Sequence, residues 1–419
     1  MGELNLSDSD RRRILATVIA CISVVGLSLG LTIPLVSITL EQRGVDSTLI
    51  GAMAAMPAVG ILVVSPLVPA LVKRSGPRGT LFLGIGLAGS SVFALSFFDN
   101  IWVWLALRFV MGAADASLFI VSETWINQVA REHNRGRLIA LYATTLSLCM
   151  AVGPVLIAFT GTEGPLPFVV AAMILCASVI PVLGMGDRLP RIEGSATFSV
   201  FRFFHIAPTL SAGVLLFAFI DGAGMSMLPV FGLRNGYPEA IAAVMVTVLI
   251  AGNVALQIPF GWLADHMDRH RLLLILGCFV LVGSLALPMV VGVPSLLWPL
   301  LFVLGAVAAG VYTVPLIIVG QRFKSADLVA ANAAIGVIWG IGNLIGPVAA
   351  GVAMRSMGAN GLPITFAAAT ALFLGVFVVR HARGRARAAP VTRREVSADD
   401  APMPGGPSKA ERADEAASE

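Results

Sequence analysis

A chain of 419 residues that is 57% hydrophobic and only 12% charged carries too little polar surface to enclose its apolar mass in water, which excludes a soluble globular protein and makes a lipid bilayer the solvent. Mean hydropathy of +0.89, with 43 glycines spread through apolar runs, fits membrane-spanning helices, in which glycine is commoner than in soluble ones. The formal charge of +4 resides in short connections and a tail, a pattern that suits a membrane surface and argues against a nucleic-acid partner.

A helix needs about 20 apolar residues to cross a hydrocarbon layer of about 30 Å. Taken in chain order, twelve runs of that size are predicted as spans, at 14–40, 48–72, 79–98, 100–130, 136–160, 165–187, 205–232, 238–265, 271–291, 294–321, 327–355 and 360–380. Residues 1–13, with Arg11, Arg12 and Arg13, precede the first run, which is too long for a signal peptide. Basic residues then occupy every second connection: Lys73, Arg74 and Arg78; Arg131, Arg135 and Arg137; Arg188, Arg191 and Arg202; Arg269 and Arg271; Arg322 and Lys324. The alternate connections hold Arg43, Arg234 and Arg355. The positive-inside rule therefore predicts both termini to be cytoplasmic, in a membrane of the bacterial inner type.

Residues 188–204 form the longest internal connection and are predicted as a cytoplasmic loop dividing one six-helix bundle, 14–187, from a second, 205–380. From 381 to 419 the apolar pattern gives way to Pro, Ser, Ala and acidic residues, which predicts a disordered cytoplasmic tail. Arg380, Arg383, Arg385 and Arg387 at its root could meet anionic lipid. Cys21, Cys149, Cys176 and Cys278 all lie inside apolar runs and read as packing residues.

Laying the second half on the first exposes a duplication. Gly112 and Gly305, Gly153-Pro154 and Gly346-Pro347, and Pro66 and Pro259 each recur at a separation of 193 residues. The predicted fold is thus an all-α membrane protein of twelve transmembrane helices in two pseudo-symmetric six-helix bundles, with a cavity between them. The two Gly-Pro pairs are expected to free a backbone carbonyl, let neighbouring helices approach closely and bend their helices.

Charge inside a span is costly, about +2.5 to +3.5 kcal/mol for a central Asp or Arg on translocon scales. Four residues accept that cost. Arg108, Asp115 and Glu123 lie on the fourth span at steps of seven and eight, which turn them toward one face, with Arg108 and Asp115 about 10 Å apart along the axis. Two readings stand for that pair: a polar lining where protonation is coupled to solute, or a structural ion pair fixing the span against a neighbour. Glu123, nearer the cytoplasmic end, is expected to pair with Arg135 or Arg137. Asp221 sits mid-span with no basic residue in its own helix, which suits a proton carrier; a helix-packing hydrogen bond is the competing account, and Arg108 is its candidate partner across the cavity.

The segment Gly261-Trp262-Leu263-Ala264-Asp265-His266-Met267-Asp268-Arg269-His270-Arg271 resembles the loop signature of the major facilitator superfamily, Gly-x-x-x-Asp-Arg-x-Gly-Arg-Arg. It departs from that pattern at His266, where Arg is usual, and at Asp268, where Gly is usual. The equivalent connection in the first half, Pro69 to Arg78, has Lys73 at the acidic position. Leu107-Arg108 through Gly112 is similar to the family's fourth-helix arginine motif, and Gly153-Pro154 to a reduced form of its fifth-helix antiporter motif. Glu123-Thr124-Trp125 followed by Arg135-Gly136-Arg137 resembles a bacterial branch called YcaD-like.

The resemblance implies a secondary transporter working by alternating access. It places Asp265 at a cytoplasmic gate near the start of the fifth span, around Gly136, in a cluster with Gly261, Arg269, Arg271, Glu123, Arg135 and Arg137; the alternative is a loop that only sets topology. Lys73 cannot mirror that contact, so the halves should be latched unequally. Spans one, four, seven and ten would line the cavity, which nominates Thr32, Arg108, Asp115, Asp221, Ser226, Tyr312 and Thr313. So apolar a lining favours a small amphiphilic or hydrophobic solute over a sugar. Proton-coupled efflux by antiport is the leading expectation, with uptake symport or uncoupled facilitation next. An ATP-driven pump is disfavoured, since no nucleotide-binding Gly-x-x-x-x-Gly-Lys-Ser/Thr loop occurs; a membrane enzyme, for which no His-Glu-x-x-His motif is present, or a non-transporting sensor is remote. No metal or cofactor is expected, the partners are a small-molecule solute, protons and the bilayer, and two halves in one chain suit a functional monomer.

Overall fold

Each apolar run forms a helix, because a helix satisfies its own backbone groups where no water is at hand to do so. The computed structural model describes residues 8–129, 135–183, 207–322 and 325–388. The helices are α1 (Asp8–Gln42), α2 (Ser47–Val64), α3 (Val68–Ala94), α4 (Ile101–Val129), α5 (Arg135–Thr160), α6 (Leu166–Ala177), α7 (Val179–Leu183), α8 (Pro208–Arg234), α9 (Glu239–His266), α10 (Arg269–Val290), α11 (Pro294–Arg322), α12 (Ser325–Met357) and α13 (Gly361–Ala388). No strand occurs among the described residues.

Ten stretches are long and apolar enough to cross a membrane. Two of them, Ser47–Ala94 with 48 residues and Ala334–Arg380 with 47, would each be about 70 Å long if straight, more than twice the hydrocarbon thickness. The first is broken at Gly76, whose φ of 71° only glycine adopts freely, and the second at a 3-10 turn, Gly358–Asn360. Twelve crossings follow among the described residues, as the apolar runs predict. The sixth is made of α6 and α7, separated at Ser178, whose hydroxyl donates to the Leu175 carbonyl at 2.6 Å.

The duplicated glycines have a common use. A Cβ on Gly112 would overlap the Pro57 carbonyl of α2, and one on its repeat mate Gly305 would overlap the Leu249 carbonyl of α9. Gly153 likewise admits the Gly30–Leu31 backbone of α1, and Gly346 the Phe219 backbone of α8. Four helix crossings therefore form two equivalent sets, each made close by a missing side chain. α5 and α12 remain helical through Pro154 and Pro347, and it is at Gly153 and Gly346 that the neighbouring backbones come close.

The last helix runs to Ala388, eight residues past its predicted end at 380. The connection 188–204 and residues 389–419 of the predicted tail lie outside the described residues. Below, the near end of the bundle is the one where α1 begins, and the far end the one where it finishes.

Candidate functional site

Arg108 of α4 is 1% exposed and Asp115, two turns on, is 4% exposed. What holds the arginine begins in α2. Pro57 has no N–H, so the Met53 carbonyl four residues earlier lacks its helical donor, and the Arg108 Nε donates to it at 3.5 Å. Nη1 and Nη2 are buried without a hydrogen-bond partner. Asp115 is the charge within electrostatic reach, and the two offset each other without closing to an ion pair. Glu123, in contrast, is exposed; the side chains of Arg135, Gly136 and Arg137 lie outside the described residues, so the pairing expected there does too.

Asp221 of α8 is half-buried, and it borders a pocket of about 10 Å³ together with Phe217, Ile220, Leu249, Ile250 and Asn253. That is room for about one water molecule. Among the described residues no group hydrogen-bonds or ion-pairs with Asp221. The expected partner, Arg108, is not beside it: its Nε donates to the Met53 carbonyl, and the charge within its reach is Asp115 on its own helix. Asn253 on α9 carried no sequence signal, since one carboxamide in an apolar run is commonplace.

Tyr312 of α11 stacks on Phe217, with ring centroids 4.8 Å apart and planes at 28°, and lies within electrostatic reach of both Asp221 and Glu123. It is the nominated lining residue that joins the two carboxylate-bearing helices. Thr313 bonds back to the Ala309 carbonyl at 3.0 Å. Thr32 and Ser226 are fully buried, with hydroxyls donating at 2.7 Å to the Ser28 and Gly222 carbonyls of their own helices. In this conformation neither presents its hydroxyl to a cavity, which corrects that part of the lining. Gly26-Leu27-Ser28-Leu29-Gly30 has the spacing of a hydrolase nucleophile motif, but it is an unbroken stretch of α1 whose glycines meet the α5 backbone at Leu146 and Met150.

At the near end, Asp265 is 64% exposed and its described partner is Arg269 of the same loop, at 3.8 Å. The Arg269 Nε donates to the Ala264 carbonyl at 3.1 Å. Asp268, which replaces the usual glycine, caps α10 by accepting the Arg271 N–H at 2.8 Å, and this bond holds its carboxyl below the usual range. A Cβ on Gly261 would meet open space, and Lys73 is exposed.

The far end holds the contacts that sequence reasoning missed. Glu41 at the end of α1 receives a two-pronged bond from Arg234 at the end of α8, at 2.6 and 2.9 Å, and Arg234 also donates to Ser47 Oγ at 2.6 Å and to the Met354 carbonyl at 3.0 Å. Glu41 and Arg234 are 193 residues apart, the repeat interval, so this pair joins two equivalent positions and straddles the pseudo-twofold axis. Two flanking contacts obey the same symmetry. Asp46 pairs with Arg355 at 3.4 Å, and their repeat mates Glu239 and Thr162 are hydrogen-bonded to each other, with Gln42 also donating to Glu239. Adding 193 to Glu41 would have found the pair, but charges at helix ends read first as topology markers. Beneath these charges the α2 and α12 backbones touch, Gly51 against the Pro347 carbonyl and Gly351 against that of Ser47, and Thr247 of α9 donates to the Ala151 carbonyl of α5 at 2.8 Å.

The profile of the Major Facilitator Superfamily matches residues 18–298 and again 210–408, two matches whose starts echo the internal repeat. Among relatives, the chain is 26% identical over 351 residues to the Bacillus subtilis protein named uncharacterized MFS-type transporter YfkF, covering 80% of this chain and 87% of that one. It is 25% identical over 361 residues to the uncharacterized MFS-type transporter YcaD of Escherichia fergusonii, covering 85% and 93%. Among solved structures, a bacterial homolog of the human lysosomal transporter Spinster, inward-facing and occupied, superposes with a TM-score of 0.75 at 13% identity over 91% of this chain and 98% of the other. The nucleoside transporter NupG gives 0.68 at 12% identity over 90% and 99%. With a twofold-repeated twelve-helix architecture and a family match over nearly all of its membrane region, this chain belongs to the Major Facilitator Superfamily of multi-pass membrane transporters.

Proposed function

We propose that the protein moves a small, apolar-bodied solute across the bacterial inner membrane by alternating access, as a monomer, with its near end cytoplasmic and with proton-coupled efflux as its direction of work. The observation that supports this reading is the pairing of a far end tied across the two halves with an unpaired carboxylate, Asp221, midway along the bundle. A barrier at one end and a chargeable group behind it are the minimum that alternating access coupled to an ion requires. The mostly apolar wall around Asp221 suits a solute without many hydroxyls. The orientation rests on the basic residues of the near-end connections.

Two measurements test it. A Ser47→Cys reporter in a chain freed of Cys21, Cys149, Cys176 and Cys278 should react with a membrane-impermeant thiol reagent only while the far end is open, and a transported solute should change that rate. In liposomes with an internal pH dye, solute addition should move protons in wild type and not in Asp221→Asn. Proton movement with the solute instead of against it would turn efflux into uptake; solute movement without protons would leave an uncoupled facilitator; a static reporter would sink the reading.

A further inference from the structure

We propose that Asp221, with Asn253 beside it, makes the pathway selective for organic monocations with an apolar body. The inference rests on the transport reading and adds to it the charge of the solute. It starts from the charge balance of the central helices. Arg108 and Asp115 are both buried on α4 and within electrostatic reach, so when both are ionised they offset each other. Asp221, when deprotonated, adds a negative charge on α8 that no described residue neutralises. The groups around it on α8, α9 and α11 are Phe217, Ile220, Leu249, Ile250, the carboxamide of Asn253 and the phenol of Tyr312. None of them is basic.

A carboxylate so placed attracts a cation and repels an anion, and both effects grow as the surroundings exclude water. The Asn253 carboxamide offers an acceptor oxygen of the kind a protonated amine uses. Phe217, which borders the space beside Asp221, stacks on Tyr312, and an aromatic ring at such a place favours a positive charge and an apolar body alike. A sugar would find too few hydroxyl partners, and an organic anion would meet Asp221 with nothing to offset it. The space at the carboxylate is about 10 Å³ with the far end closed, room for about one water, so an organic cation reaches Asp221 as the site opens.

The test uses the full chain in nanodiscs and three probes of related shape: tetraphenylphosphonium, tetraphenylborate and neutral triphenylphosphine oxide, with binding to empty nanodiscs subtracted. Wild type is expected to bind the phosphonium saturably and at least about tenfold more tightly than the other two. Asp221→Asn should lose that tenfold preference while keeping its melting temperature and elution profile, Asp221→Glu should keep most of it, and Glu163→Gln on an exposed connection should match wild type. Equal affinity for all three probes, or a phosphonium affinity unchanged in Asp221→Asn, overturns the inference and leaves the transport reading standing. So does failure of the phosphonium to bind a protein whose Ser47→Cys reporter still alternates, whereas loss of the alternation itself condemns the transport reading instead.

Discussion

The far and near ends of the bundle are built on the same duplicated backbone, yet their charges are used differently. At the far end they reach across the halves, Glu41 to Arg234 and Asp46 to Arg355. At the near end Asp265 meets Arg269 and Asp268 the Arg271 N–H within one connection, and Arg78 of α3 donates to the Leu183 carbonyl of α7 in its own half. The repeat supplies equal scaffolds, through glycines that let equivalent helices touch, while single side chains decide how the far end is tied. Within the far-end latch the same lesson recurs, for among the described residues Asp46 meets a guanidinium where its repeat mate Glu239 meets a hydroxyl and an amide.

The harshest way to break the contrast is Gly351→Val. A Cβ there would overlap the Ser47 carbonyl, and backbone cannot give way as a flexible side chain can. Overpacking of this kind costs about 1–3 kcal/mol, charged here against the far-end-closed state alone. Labelling of Ser47→Cys should rise by about tenfold or more, with the melting temperature less affected; unchanged labelling would mean that α2 and α12 do not need to touch. Arg234→Ala is expected to act less strongly. It strands Glu41 and removes bonds to Ser47 and Met354, but both charges keep some water, with side chains 24% and 17% exposed. A discounted loss of about 1–2 kcal/mol corresponds to roughly five- to thirtyfold in the opening equilibrium. Because the pair straddles the pseudo-axis, the swap Glu41→Arg with Arg234→Glu should restore much of it. At the near end, Asp265→Asn should leave far-end labelling at the wild-type rate, since its described partner lies in its own exposed loop. A large change would show that the two ends are coupled in this conformation.

Much of the fold was legible because lipid leaves few choices: about 20 apolar residues make a crossing, and a repeated Gly at a crossing betrays a duplication. Asp221 stood out for a related reason, since a lone carboxylate in an apolar span is costly, and no described residue pairs with it in the fold. The Arg108 contact was half legible. Pro57 announced a free carbonyl at Met53, but not that α4 would place a guanidinium against it. Thr32 and Ser226 misled because a hydroxyl in an apolar helix can bond to its own backbone four residues back and needs no cavity. Asn253, Glu41 and Arg234 stayed hidden because their meaning lies in which helices come together, and that is settled by packing rather than by local pattern.

The mildest perturbation is pH acting on Asp46. Partial loss of solvent alone would raise its carboxyl, but the Thr48 N–H, which donates to Oδ1 at 3.0 Å, and the Arg355 guanidinium outweigh it and hold the group below the usual carboxylate range. A folded value below the unfolded one means that the stabilisation is complete above the ordinary carboxylate pKa of about 4 and is lost as pH falls through the folded value. The effect is small because the pair is exposed and screened by salt. Spin labels placed on α2 and α12 near the far end should therefore show a slightly broader distance distribution below about pH 4 than at neutral pH. Asp46→Asn should show that breadth already at neutral pH, while Glu239→Gln, lacking any guanidinium to lose, should leave the Asp46 step in place. If Glu239→Gln instead removed the acid step, the weight of the latch would lie on its hydrogen-bonded side, and the ionic asymmetry between the two flanks would have no part in holding the far end shut.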